Sequence, residues 1–195
     1  MVESLGLRRY ALMGVSQGAP IAIAHAAQYP ERVSKLVLYG AYAKGRNKRS
    51  AGHEQETAQT LLSIMRQGWG DERSPYMRAF SSLYLPSGTR EQIGWFAELQ
   101  RLATSPENAA RLRVACDDID MTALLDKVKC PALVLHARND GVVPFDEGRQ
   151  LAASLPFGQF VALDSDNHIL LENEPAWMPF VTSISNFLQA SALSH

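Results

Sequence analysis

The sequence predicts an α/β protein: a mostly parallel sheet of about four strands flanked by helices and interrupted by a helical lid insertion. Three observations predict it. Residues 9–39 run strand, helix, strand within about 30 residues, the pattern of a βαβ unit, so the two strands should be parallel. Residues 132–189 resume the same alternation. Between them, from residue 41 to about 128, apolar spacing is helical and no strand is evident. The expected division is therefore a core from residues 1–40 and 128–195, with a lid or cap from residues 41–127.

Each element has a local cause. Residues 9–15 are short, mostly apolar and end in a glycine motif, which suits a strand buried on both faces. An alanine-rich helix should start at Gly18, with Pro20 harmless in its first turn, and stop before Pro30. Val33 to Tyr39 is a second strand, closed by Gly40. In the insertion, Leu61, Leu62 and Met65 mark a helix over 54–67, and residues 75–84 form another. Thr89 with Gln92 makes a capping box for a helix to about Ala103. Ser105 followed by Pro106 starts the next, and Asp120 caps a short one containing Leu124 and Leu125. Strands over 132–137 and 159–163 and helices over 146–155 and 174–189 complete the chain. The last carries Trp177, Phe180, Ile184 and Phe187 at spacings of three and four.

Composition narrows the function. The chain has 195 residues, 46% of them hydrophobic, enough for a core without staples. A net charge of -1 offers nothing to a polyanion, so nucleic acid is not an expected partner. The basic run Lys44, Arg46, Lys48, Arg49, with Gly45 and Asn47 among them, reads as a solvated loop. Cys116 and Cys130 form no C-x-x-C pair and no disulfide framework, so a reduced, cytoplasmic setting is expected. Arg8-Arg9 before an alanine-rich stretch faintly resembles an export signal, but Gly14, Ser16, Gln17, Gly18 and Pro20 break its apolar region. No segment approaches the ~20 apolar residues of a membrane span.

The chemistry centres on Gly14-Val15-Ser16-Gln17-Gly18, a G-x-S-x-G motif between a predicted strand and a predicted helix. A serine on such a turn takes strained backbone angles and projects its hydroxyl, and residues two places either side must be small. The Gln17 N–H, at the helix start, is the expected oxyanion donor. A serine needs a base, and the base needs an orienting acid. Asp140 follows the third strand in a glycine and proline loop, and His168 follows the fourth, so Ser16, Asp140 and His168 stand at three strand ends in the required order. His25 reads as a packed or surface residue, His136 as core, His53 as part of the lid and His195 as the terminus. Asp164 and Asp166 share the loop of His168 and could rival Asp140 only from there. No H-E-x-x-H or close His/Asp cluster calls for a metal, and no cofactor is expected.

These residues resemble the α/β-hydrolase superfamily. The resemblance lies in Leu5-Gly6-Leu7, the G-x-S-x-G motif, Tyr29-Pro30-Glu31-Arg32-Val33 with Leu36-Val37-Leu38, Cys130-Pro131 through Asp140 to Val143-Pro144, and Asn167-His168. It covers residues 1–40 and 128–190. Asn167 to Glu172 and Glu174-Pro175-Ala176-Trp177 resemble a narrower group, hydrolase-like domains fused to bacterial adenylate cyclases and transcription regulators. Free-standing members of that group resemble simple esterases. The family has several strands before the nucleophile strand, one of whose loops supplies a second oxyanion amide. Here Met1 falls in what resembles the helix leading into the nucleophile strand. The N-terminal strands are therefore expected to be absent, as in a fragment or a short natural variant.

The resemblance and the residues together imply a serine hydrolase for small carboxylic esters, working through an acyl-enzyme. A non-catalytic ligand-sensing domain and a perhydrolase or haloperoxidase-like activity on the same triad are the alternatives. The aromatics Trp69, Tyr76, Phe80, Tyr84, Trp95 and Phe96 suggest an apolar acyl pocket, with lid core the use of most of them. An apolar strand at 9–15 with no preceding neighbour is an open edge, so a homodimer pairing these edges is expected.

Overall fold

A computed structural model describes residues 5–49, 54–71 and 74–190, without the side chains of 54–59 and 61. His53, His195 and the Leu61 side chain lie outside the described residues. Four strands, β1 (Tyr10–Val15), β2 (Val33–Tyr39), β3 (Ala132–Ala137) and β4 (Gly158–Leu163), form one sheet in the order β1-β2-β3-β4, every pair parallel. Helix α1 (Gly18–Gln28) connects β1 to β2, and α7 (Phe145–Ser154) connects β3 to β4. The C-terminal helix is α8 (Trp177–Gln189).

Burial follows position in the sheet. β3 is buried at every residue and β2 at most of them, as expected of parallel strands covered on both faces. Leu36, Leu38, Val134 and Ala132 pack with Ile23 of α1 and Leu151 of α7 on one face. On the other, Val37, Tyr39, Leu133 and Leu135 pack with Phe187, Phe180 and Ile184 of α8. Lys35 joins that helix to the sheet: its ammonium donates to the carbonyls of Phe187, Leu188 and Ala190 at 2.7, 2.8 and 2.6 Å, a cation placed on the negative end of the helix. β1 is an edge strand, and Met13 and Val15 on it are exposed.

Between β2 and β3 the chain forms α2 (Arg46–Arg49), α3 (Glu54–Gly68), α4 (Pro75–Tyr84), α5 (Arg90–Ala103), α6 (Pro106–Asp117) and a 3₁₀ turn over Thr122–Lys127. Two of the caps are those the sequence shows. Thr89 and Gln92 form both bonds of a capping box, and the Ser105 hydroxyl accepts from the Asn108 N–H. Asp120 is not itself the cap: Met121 holds the N-cap position of the 3₁₀ turn, and Asp120, one residue before it, accepts from the Thr122 N–H at 3.0 Å. Met65, Trp69, Met77, Ala97, Ala109 and Ala110 give the insertion a core of its own. Lys44 and Asp120 pair in an antiparallel bridge, closing the insertion's two ends beside each other.

Two local expectations are corrected. The run from Lys44 to Arg49 is not a solvated loop: Arg46–Arg49 is a helical turn, held by Asn47 donating to Asp118 at 2.8 Å. The terminal helix starts at Trp177, not at Glu174, because the Glu174 carboxylate turns back to accept from the Leu171 N–H and the Ser165 hydroxyl, both at 2.5 Å. Among the described residues no helix is long and apolar enough to cross a membrane.

Candidate active site

Parallel strands deliver their following loops to one end of a sheet, and here that end collects the chemistry. Ser16 directly follows β1, with its N–H donating to the Tyr39 carbonyl at 2.9 Å. Its φ is 49°, in the left-handed region, and it is the one described non-glycine residue with positive φ. Strain of this kind persists only where the surroundings impose it. Gly14 shows how: a Cβ there would lie 2.7 Å from Ala19 Cα and 2.9 Å from Ala22 Cβ, so α1 can fold back tightly onto β1 only because residue 14 has no side chain. Gly18 meets no such demand, since a Cβ there would meet nothing within 4 Å. The expectation that both flanking positions must be small holds for Gly14 alone.

The three residues singled out in the sequence come together. His168 Nδ1 lies 2.6 Å from Asp140 Oδ2, and His168 Nε2 lies 2.8 Å from Ser16 Oγ. An ionised carboxylate only accepts, so Nδ1 carries the ring proton and Nε2 is left to accept from the serine hydroxyl. Both His168 and Asp140 are buried. Burial alone would raise the Asp140 pKa. The His168 bond and charge and the N–H groups of Val143 and Val142, at 2.9 and 2.8 Å from Oδ1, outweigh it and hold the carboxyl below its ordinary value. Asp140 is thus ionised with all its geometry specified. Asp166 is engaged elsewhere, accepting from Asn139 and Ser87, and Asp164 is exposed.

Three contacts around His168 escape a reading of the sequence. The Tyr84 carbonyl, at the end of α4, accepts from the N–H groups of His168 and Ile169 at 2.9 and 3.2 Å, and its ring meets the imidazole edge-on at 5.4 Å. The insertion therefore helps to hold the histidine loop. Asn167 is fixed from both sides, its side chain accepting from the Ser87 N–H and its carbonyl from the Tyr39 hydroxyl. Gly40, with φ 56°, passes under the imidazole so closely that a Cβ would sit 2.8 Å from His168 Cε1.

His136 is buried, as a core histidine should be, but it also touches the site. Its Nε2 lies 3.0 Å from the Val143 carbonyl and 3.4 Å from Asp140 Oδ2. A carbonyl only accepts, so Nε2 carries the proton and the buried Nδ1 is left without a partner. Burial pushes its pKa below the ordinary value, against the smaller upward pull of Val143 and Asp140. In the unfolded chain the same ring takes up a proton below about pH 6.5, so the folded state loses ground there as pH falls. The expected result is an unfolding free energy, from urea titration, that drops between pH 7 and 5 more steeply for the native chain than for His136→Gln, by up to about 1.4 kcal/mol per pH unit. Parallel slopes would show that this ring does not set the acid sensitivity. His25 is placed far from this chemistry, with its Nε2 2.6 Å from the Tyr10 hydroxyl.

A cavity of about 520 Å³ opens beside Ser16 and Gln17. Trp69, Phe80, Tyr84 and Phe96 line it, whereas Tyr76 stacks behind Phe80 and Trp95 is exposed. Arg46, Arg49, Arg113 and Asp117 line it too. Gln17 caps α1, and its side-chain oxygen lies 3.5 Å from Cys116 Sγ. Burial pushes the Cys116 thiol up, which leaves it a neutral, weak donor. Among the described residues no group of three or more His, Cys, Asp or Glu side chains could hold a metal ion.

Known proteins resemble this chain in sequence and fold. The chain is 30% identical over 164 residues to a 2-hydroxy-6-oxononadienedioate/2-hydroxy-6-oxononatrienedioate hydrolase of Paraburkholderia phymatum, covering 82% of this chain and 56% of that protein. It thus spans little more than half the length of that relative. Its fold matches an esterase of Exiguobacterium antarcticum with a TM-score of 0.80 at 20% identity, over 97% of this chain and 70% of the esterase. A bromoperoxidase of Bacillus anthracis matches with a TM-score of 0.82, also at 20% identity and over the same shares of the two chains. The family model for the alpha/beta hydrolase fold matches residues 1–175, a span that holds β1 to β4, the insertion and all three residues of the Ser16, His168 and Asp140 chain. By that match, and by the parallel sheet that carries it, the chain belongs to the α/β-hydrolase family.

Proposed function

We propose that this chain carries the nucleophile, base and acid of a serine hydrolase that cleaves small carboxylic esters through an acyl-enzyme. The observation that supports this most directly is the continuous chain Ser16 Oγ, His168 Nε2, His168 Nδ1, Asp140 Oδ2 at 2.8 and 2.6 Å. In this reading Ser16 Oγ attacks the ester carbonyl as its proton passes to His168 Nε2. The Gln17 N–H donates to the developing oxyanion, and the Asp140 carboxylate stabilises the imidazolium. His168 then protonates the leaving alkoxide, and a water activated by the same ring releases the acid and restores Ser16. The nucleophile and base are side chains, so no metal or cofactor takes part.

A fluorophosphonate probe tests the proposal without a choice of substrate. The expected result is stoichiometric labelling at Ser16, lost in Ser16→Ala and strongly slowed in His168→Ala. A folded chain that takes no label would favour the non-catalytic ligand-sensing reading. Labelling together with peroxide-dependent but not hydrolytic turnover would favour the perhydrolase reading.

We also propose that the 195-residue chain, purified alone, self-associates through β1. Among the described residues one side of that strand has no neighbour in the sheet, Met13 and Val15 on it are exposed, and so is Ile21 on α1. Water can satisfy the open backbone groups but does not remove apolar area, and a second copy does both. Light scattering at tens of micromolar should give a dimer mass, reduced by Met13→Lys. A monodisperse monomer would sink the proposal.

A further inference from the structure

Most of the cavity beside Ser16 is what a small apolar acyl group needs, but part of its wall is not. Among the described residues four charged ones line it, Arg46, Arg49, Arg113 and Asp117, in a chain whose net charge is -1. Asp117 is bound to Arg113, with Nε to Oδ2 at 2.9 Å, which cancels one positive charge, and the other charged groups on the wall among the described residues are cations. Arg49 Cζ lies over the Tyr42 ring, 5.9 Å from its centroid, a cation–π contact that leaves the guanidinium its charge. These groups are tied into one surface: Asn47 bonds to Asp118, and the Gly45 N–H donates to the Ile119 carbonyl, pinning α2 against the end of α6.

This charged surface adjoins the nucleophile. Cys116 stands next to Asp117 and contacts the Gln17 side chain, one residue from Ser16. The aromatic part of the wall is a separate contact chain: Trp69 meets Phe80, Phe80 meets Tyr84, and Tyr84 meets both Phe96 and His168. The two surfaces feel each other. Burial raises the Tyr84 hydroxyl pKa, and the charges of Arg113 and Arg46 are among the groups that pull it back. A neutral apolar ester gives the Arg49 guanidinium on this wall no role, and keeping a cation at a partly desolvated cavity costs stability.

Resting on the hydrolase reading, we propose that the substrate is an anionic ester: it carries a carboxylate remote from the scissile carbonyl, held by the Arg46, Arg49 and Arg113 wall while its apolar part lies against Phe80 and Phe96. Guanidinium groups match a carboxylate in charge and planar geometry, and a positive cavity with apolar walls concentrates anions.

The test compares two isosteric esters, mono-4-nitrophenyl pimelate and its terminal primary amide, after subtraction of the uncatalysed rates. The expected result is a kcat/KM at least about tenfold higher for the anion, an advantage that shrinks as ionic strength rises. Arg49→Gln should lower the anion-to-amide ratio toward one, and Arg49→Lys should keep most of it. Asp117→Asn should raise the ratio, because it removes a negative charge from the wall. A merely structural role would not move the two charge changes in opposite directions. Circular dichroism checks that each variant is folded. Turnover of both esters at equal kcat/KM would overturn the anion proposal and leave the hydrolase reading standing. Turnover of neither, with no fluorophosphonate labelling, would overturn the hydrolase reading instead. In that case calorimetry with pimelate against pimelamide decides the anion site by itself, tighter binding of pimelate supporting it and equal affinity overturning it.

Discussion

Asp140→Asn is expected to lower kcat for ester hydrolysis by about 10⁴-fold, the scale of this change in a serine protease triad, with little loss of stability. The reason is a proton and not a charge alone. Asp140 Oδ1 accepts from the N–H groups of Val142 and Val143, so an asparagine keeps its carbonyl oxygen there. Its NH₂ group then faces His168 Nδ1, where the native carboxylate oxygen lies at 2.6 Å. An amide N–H donates, so Nδ1 must give up its proton and accept, and the ring proton moves to Nε2. A protonated Nε2 cannot take the Ser16 proton. KM should change far less than kcat, since Asp140 is buried behind the imidazole and does not line the cavity. A kcat within tenfold of the native value would show that Asp140 does not set the tautomer.

The strands and the serine turn are legible because each announces itself locally, whereas Asp140 and His168 are legible only jointly, from their order at successive strand ends. Continuous apolar runs of six or seven residues with glycine or proline at their ends read as buried parallel strands. The turn at Gly14 to Gly18 needs residue types that few other local structures need. What was not legible is contact between segments distant in the chain. Gly40 reads as the end of a strand, and nothing near it shows that His168, 128 residues on, will lie against it. The Tyr84 carbonyl holds the His168 loop through backbone atoms, which every residue has. His136 was correctly expected in the core, but its 3.4 Å approach to Asp140 depends on how the loop after β3 folds back. The basic run misled for a related reason. Glycine, asparagine and lysine among arginines describe a solvated loop equally well, and only the packing of α2 against α6 turns Arg46 and Arg49 toward the cavity.

Ser16 joins local strain to chemistry, and two substitutions separate them. Ser16→Ala and Ser16→Gly should each remove measurable turnover, a loss of up to about 10⁶-fold in kcat, because both lack the hydroxyl that stands 2.8 Å from His168 Nε2. Both also lose the same hydrogen bond to the imidazole, so their stabilities differ only through the backbone. Residue 16 holds φ at 49°. For alanine the left-handed region costs roughly 1–2 kcal/mol, and for glycine it costs nothing, while glycine gives back about 0.4–1 kcal/mol through the greater freedom of its unfolded chain. Ser16→Gly should therefore be the more stable of the two by about 0.5–1 kcal/mol, read from urea midpoints at neutral pH. That difference measures the strain the fold maintains to present the serine hydroxyl at the end of β1. The turn could be relaxed, and the protein made more stable, only by giving up the side chain the turn exists to display. An alanine variant as stable as the glycine variant would show that residue 16 relaxes to an unstrained conformation in solution, and the tight return of α1 over Gly14 would then have another explanation.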